Sequence, residues 1–234
     1  MKLKRLIRIR TLDVLYSLGI KKRKGILVYL GVHQGRSFSS IFQRYEACYG
    51  FEANPQFCAK LLEDYKRYPN VHIYNVAVAK EKGEIEFNIS SNDGDSSSIG
   101  NFDENWFNKH IKMVDKIKIP SINLLEFLKD EGIEYVDEYI SDIQGMDLEV
   151  LKTLSPMITQ RKIGRITSEV AKNQYGNVYK DLPDNSEAGF NDFLGENYEC
   201  IAKGWNKLKD GSFDEVPEHW WEMDCRWKLK EEKH

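Results

Sequence analysis

The chain has 234 residues, of which 41% are apolar, 30% charged and 12% aromatic. This globular composition excludes a disordered or fibrous protein and suits one large domain, or a domain with an appendage. Net charge is −3, but residues 1–24 carry nine Lys and Arg against Asp13 alone, a local +8 that leaves −11 for the remainder.

A basic helical segment over 1–24 is therefore expected to precede a domain over 25–234. The acidic remainder would repel phosphate backbones, so this segment is read as a solvated helix and no nucleic-acid partner is expected. It lacks the uninterrupted apolar core of a signal peptide. Residues 25–32, the longest apolar run, fall far short of the ~20 needed to cross a bilayer. Four cysteines (Cys48, Cys58, Cys200, Cys225) form no C-x-x-C pair, so reduced, mostly buried thiols and a cytoplasmic location are expected.

Residues 25–32 read as a buried strand, and Phe38, Ile41, Phe42 and Tyr45 recur at one-face helical spacing. Residues 47–53 form a second strand. Pro55 opens a helix with Phe57, Leu61 and Tyr65 on one stripe. A third strand spans 71–78. Lys82-Gly83 is a turn, and the alternating segment 84–90 is a strand that leaves the parallel register. The polar stretch 90–98 is short enough for a functional loop. Ser121 is placed as the cap of a helix running to Lys129, followed by a strand at 135–143, a helix near 146–154 and a strand at 163–170. A helix at 188–197 precedes two strands, 198–205 and 222–229, which pair antiparallel. Such alternation predicts an α/β, three-layer doubly wound, Rossmann-like domain: a mostly parallel sheet with an antiparallel edge and an inserted hairpin. Ligands of that architecture bind beyond the carboxyl ends of the strands.

Beyond the first strand, Gly31 and Gly35 flank His33 in a turn where backbone amides and a helix start favour a negatively charged or polar ligand. The spacing G-x-x-x-G is not the dinucleotide fingerprint G-x-G-x-x-G, and no Walker lysine follows, so a nucleoside without a pyrophosphate suits this turn. Glu52, 21 residues beyond Gly31, can accept hydrogen bonds from both ribose hydroxyls; the alternative is a surface carboxylate before a turn. Small apolar groups at 75–79 could line an adenine slot or be plain strand. Asp142 and Glu169 fall near the ends of later strands, where paired carboxylates can share a proton, deprotonate a hydroxyl or hold a divalent cation. Asp142 could equally cap the next helix. Trp106, Trp205, Trp220, Trp221 and Trp227 are read as packing residues, with an acceptor-binding role open to any of them.

The succession Val28–Gly35, Phe51–Pro55, Ser96–Ser98 and Asp142–Leu151 resembles the FkbM-type methyltransferases over about residues 25 to 230. The resemblance implies a class I methyltransferase fold with a seven-stranded sheet. It implies S-adenosylmethionine as cofactor and O-methylation of a sugar, glycan or other small hydroxylated metabolite. Carried onto this chain, the cofactor residues would be Gly31, His33, Gly35, Ser37, Glu52, Ala53, Ala77, Ser97 and Asp142. Asp142 and Glu169 would serve catalysis, His33 being a weaker candidate base. A divalent metal is compatible with this pair but is not predicted. The chain departs from the family pattern at Tyr29, where Asp is usual, and at His33, where Asn is common. A non-catalytic nucleoside- or protein-binding module retaining the fold is the alternative reading.

Overall fold

The structure is a computed structural model describing residues 14–16, 18, 21–106, 108–204 and 215–231. Most of the basic segment expected at 1–24, and Trp205, lie outside the described residues. In chain order the elements are β1 (Lys24–Leu30), β2 (Tyr45–Phe51), α1 (Pro55–Tyr65), β3 (Val71–Tyr74), β4 (Ala77–Ala79), β5 (Gly83–Ser90), β6 (Asn101–Phe102) and β7 (Met113–Asn123). They continue with α2 (Leu124–Asp130), β8 (Glu138–Ser141), α3 (Asp147–Thr153), α4 (Ser155–Thr159), β9 (Arg165–Ala171), β10 (Tyr179–Lys180), α5 (Glu187–Leu194), β11 (Tyr198–Gly204) and β12 (Glu222–Leu229).

Seven strands form the central sheet in the order β11-β12-β9-β8-β1-β2-β3. Neighbours are parallel from β9 to β3, and β12 runs antiparallel to both β9 and β11. The alternating side chains of β1 feed two separate cores, as a doubly wound sheet requires. Val28 and Leu30 pack with α2, α3 and α5 through Leu128, Leu151 and Phe190. Leu27 and Tyr29 pack on the opposite face with Phe38, Phe42 and Leu61. This is an α/β Rossmann-like fold with a mostly parallel sheet.

Local chemistry explains the differences from the sequence expectations. The helix expected after β1 is two 3-10 turns, Phe38–Ser40 and Phe42–Arg44. The Ser39 and Ser40 hydroxyls donate to the Arg36 and Ser37 carbonyls, both at 2.7 Å, and such side-chain bonds compete with a continuing helix. The strand expected at 71–78 breaks at Asn75 and Val76: β3 stays in the main sheet while β4 joins a three-stranded sheet, β4-β7-β5. Its antiparallel β5·β7 pair takes the place of the inserted hairpin. Strand β7 is absent from the sequence expectations: Pro120 argues against a strand, yet β7 runs through it, and Lys116-Ile117-Lys118-Ile119 alternates as a half-exposed strand should. Ser121 lies within β7, and Asn123 caps α2 instead, its Oδ1 accepting the Glu126 amide at 3.1 Å.

No described helix is long and apolar enough to cross a membrane. All four cysteines are free, three of them buried. Trp227 anchors β12 to α5: it is 1% exposed, its ring stacks on Phe190 at 5.2 Å, and its indole donates to Asn191 at 2.9 Å. Trp227→Ala is expected to cost about 3 to 5 kcal/mol of stability, measured by urea unfolding. A loss under ~1 kcal/mol would contradict this docking of β12.

Candidate active site

The strand order reverses at β1, whose neighbours β2 and β8 are reached by connections over opposite faces. A cavity of about 560 Å³ opens beyond the carboxyl ends of these strands, where side chains from different crossovers converge. Gly31 ends β1 at φ +72°, and a Cβ there would lie 1.8 Å from the Asp142 carbonyl oxygen. Only glycine lets the turn after β1 pass this close to the turn after β8.

At the end of β2, Glu52 is 5% exposed. Its Oε2 accepts the His33 amide at 2.6 Å and its Oε1 the Asn54 amide at 2.8 Å. Backbone therefore fixes the carboxylate facing the cavity, while burial pushes its pKa up to about 7. Asn75 locks the strand end by donating to the Glu52 and Ala53 carbonyls at 2.9 and 3.1 Å. Next to it, Ala53, Ala77, Phe87 and Ile99 give the cavity a small apolar slot.

The serine-rich loop is stitched rather than loose. Ser90 donates to Asn92 at 2.6 Å, Asn92 to Ser96 at 3.0 Å, and the Ser97 hydroxyl accepts the Ser90 amide at 3.0 Å. His33, at φ +51°, latches this loop to the turn after β1: its Nε2 lies 3.2 Å from Asp95, and its ring packs edge-on against Phe57 at 4.3 Å.

Across the cavity, Gln144 joins the two later carboxylates. Its Nε2 donates to Asp142 and to Glu169, each at 2.6 Å, while its Oε1 accepts from Tyr179 at 2.5 Å and its carbonyl from Ser98 at 2.7 Å. Gln144 adopts φ +57° and Gly145 φ +97°. Asp147 holds that bend, accepting from the Ser141 hydroxyl and from the Ile143 and Gly145 amides at 3.0 and 3.3 Å. Asp142 opens onto the cavity, whose desolvating walls raise it, and burial followed by the charge of Asp142 pushes Glu169 well above the carboxylate range. Of the two, Glu169 is the group that favours its proton more, which makes Asp142 the candidate acceptor. Burial likewise lifts Asp147 to about 7, Asp224 to about 7 and Glu222 to about 8. Among the described residues, no group of three or more His, Cys, Asp or Glu is arranged to hold a metal.

The cavity brings together Gly31, His33, Glu52, Ala53, Ala77 and Ser97, with Asp142 and Glu169. Two expected residues stay off its wall. Gly35 backs onto Leu61 and Tyr65, and Ser37 is exposed where the 3-10 segment starts. Asp142 does not cap α3, whose cap position is Met146. Tyr29 points into the core beside Phe38, 5.7 Å between rings. Trp106, Trp220 and Trp221 line the cavity, whereas Trp227 is core. Sequence reasoning missed Gln144, Tyr179 and Glu222. Gln144-Gly145 directly after a strand carried a turn signal; Tyr179 reaches the site from a two-residue strand and had none.

The family described as Methyltransferase FkbM domain matches residues 30–193. No curated protein matches the sequence. Among solved structures, methyltransferase FkbM from Methylobacillus flagellatus superposes with TM-score 0.52 at 15% identity, over 88% of this chain and 43% of that one. This chain thus spans less than half of that protein's length. An rRNA methylase from Streptococcus thermophilus gives 0.47 at 9% identity over 95% of both chains. The N-methyltransferase NodS from Bradyrhizobium japonicum, in complex with S-adenosyl-l-homocysteine, gives 0.46 at 11% identity, over 96% of this chain and 86% of that one.

The raised carboxyls make the folded, ligand-free protein hold more protons than the unfolded chain between about pH 4 and 8. Their contribution to stability is present below pH 4 and is lost as pH rises through 7 to 8, at about 1.4 kcal/mol for each decade by which a carboxyl is raised. Unfolding free energy is expected to fall by at least ~2 kcal/mol from pH 5 to pH 8, and less in Glu222→Gln. Urea titrations across this range check it; a flat profile would contradict the burial of these groups.

Proposed function

Because the chain belongs to the FkbM methyltransferase domain family and has the class I methyltransferase fold, we propose that it is an S-adenosylmethionine-dependent O-methyltransferase. The acceptor in this reading is a hydroxyl of a sugar, glycan or other small metabolite. The observation that carries it is the pairing, across one cavity, of an immobilised Glu52 carboxylate with Asp142 and Glu169, which Gln144 holds together.

The residues present fit this cofactor. Glu52 keeps lone pairs free for two ribose hydroxyls, because backbone amides take only one direction on each oxygen. The slot at Ala53 and Ala77 suits a flat adenine ring, and Gly31 with His33 would flank the methionine part. Ser97 closes the loop over the same side. When bound, S-adenosylmethionine supplies a methyl group already activated by its sulfonium.

The protein's own task is then to position and deprotonate. Asp142 accepts the proton of the acceptor hydroxyl. Gln144 orients Asp142 by donating to it, while burial and the charge of Asp142 disfavour a second negative charge on Glu169. The latched loop 91–98 shields the reacting groups from water. A domain over 25–234 preceded by a basic segment remains part of this proposal, as does a cytoplasmic location.

Calorimetric titration with S-adenosylhomocysteine should show micromolar binding, about 8 kcal/mol. Glu52→Ala should weaken it by ~1 to 3 kcal/mol. Absence of binding by the folded protein would overturn the reading in favour of a non-catalytic module. Asp142→Asn should retain S-adenosylhomocysteine affinity and lose turnover at least ~100-fold; full turnover would remove Asp142 as the base.

A further inference from the structure

Five acidic side chains, Glu52, Asp95, Asp142, Glu169 and Glu222, line the cavity, and no Lys or Arg does so among the described residues. Four of them have partners: backbone amides for Glu52, His33 for Asp95, and Gln144 for Asp142 and Glu169. Glu222 differs. Its Oε1 is sealed from solvent and has no hydrogen-bond partner among the described residues. A buried acceptor left in this state is costly unless a ligand satisfies it.

Sheet order separates Glu222 from the nucleoside end. Glu52 ends β2 and Glu222 begins β12, four strand spacings away, about 19 Å at the usual separation. Glu222 pairs across β12 and β9 with Ala171, two residues beyond Glu169. Two tryptophans, Trp220 and Trp221, precede it on the cavity wall, and the Trp221 ring is braced by Tyr175 at 4.1 Å and 5°. Carboxylates beside fixed aromatic faces, without a basic residue, are the chemistry that receives an organic cation.

Building on the methyltransferase reading, we propose that this half of the cavity is a subsite for a protonated amine, and that the methyl acceptor is a hydroxylated compound carrying one, of amino-sugar type. The ammonium sits between Glu222 and Glu169 and is flanked by Trp220 and Trp221. To meet it the Glu222 carboxyl turns about its last bond, bringing the unpartnered Oε1 from its sealed position to the cavity side, and the ammonium offsets the crowding of like charges behind it, to which Asp147 and Asp224 contribute. The acceptor hydroxyl is thereby directed toward Asp142, which Gln144 ties to Glu169. Phosphorylated and carboxylated acceptors are rejected, because their charge would enter an acidic wall unneutralised.

The test uses the full chain saturated with S-adenosylhomocysteine, titrated with matched pairs: glucosamine against glucose, and 2-aminocyclohexanol against cyclohexanol. The amine of each pair should bind at least tenfold more tightly. Glu222→Gln, which keeps shape and removes charge, should erase the difference while S-adenosylhomocysteine affinity stays unchanged. Amines that bind no better than their neutral partners, including no binding by either, would overturn the subsite. So would a preference that survives in Glu222→Gln. Loss of S-adenosylhomocysteine binding by the unmodified protein would instead overturn the methyltransferase reading, so the two failures are distinguishable.

Discussion

The site depends on Asp147, a carboxylate with no exposed surface that is satisfied by hydroxyl and amide donors. Two successive residues, Gln144 and Gly145, take positive φ just before it. A bend of that kind is unfavourable for Gln, and Asp147 offsets the cost by accepting from Ile143 and Gly145 on either side. The bend turns the Gln144 amide back over the strand ends, between Asp142 and Glu169. Asn185 supports the arrangement from behind, accepting the Leu148 amide at 2.9 Å and lying 3.5 Å from Asp147. The position of the candidate base is thus set by a buried polar network, and such networks are rigid only when every member is satisfied.

A second consequence concerns charge. Asp142, Asp147, Glu169, Glu222 and Asp224 gather around β8, β9 and β12, and each is raised by desolvation. Desolvation and mutual repulsion disfavour the charged forms, and a bound cation would favour them. Reversal of β12 is what places Glu222 in this cluster. A parallel strand there would bring its carboxyl end, not Glu222, to the cavity.

Much of the fold was legible because apolar periodicity and helix starts are local signals. Pro55 opening α1 and the paired strands at the end of the chain could be read directly. The segment at Phe38 misled because i, i+3 apolar spacing is shared by α and 3-10 geometry, and its serine hydroxyls decide between them. Strand β7 misled because a proline, Pro120, sits inside it and its outer face carries Lys116 and Lys118, paired across the sheet with Glu86 and Glu84. In the site, Glu52, Asp142 and Glu169 were findable because strand-end carboxylates stand out. Gln144, Tyr179 and Glu222 were not, because their meaning lies in contacts 35 to 46 residues apart or, for Glu222, in an oxygen without a hydrogen-bond partner among the described residues.

The substitution at Tyr29 fits this distribution of charge. Family members usually place an acid there, at the penultimate position of the first strand. Here the side chain belongs to the apolar cluster of Phe38 and Leu61, on the sheet face away from Val28 and Leu30. Burial raises its phenol, so it stays neutral. What the turn after β1 offers a ligand is therefore backbone: the approach allowed by Gly31, and the His33 amide that fixes Glu52. Negative charge comes instead from the ends of β2, β8, β9 and β12. The two halves of the cavity accordingly differ in chemistry. One presents a held carboxylate and a small apolar slot that suit a nucleoside, and the other presents a carboxylate wall braced by aromatic rings.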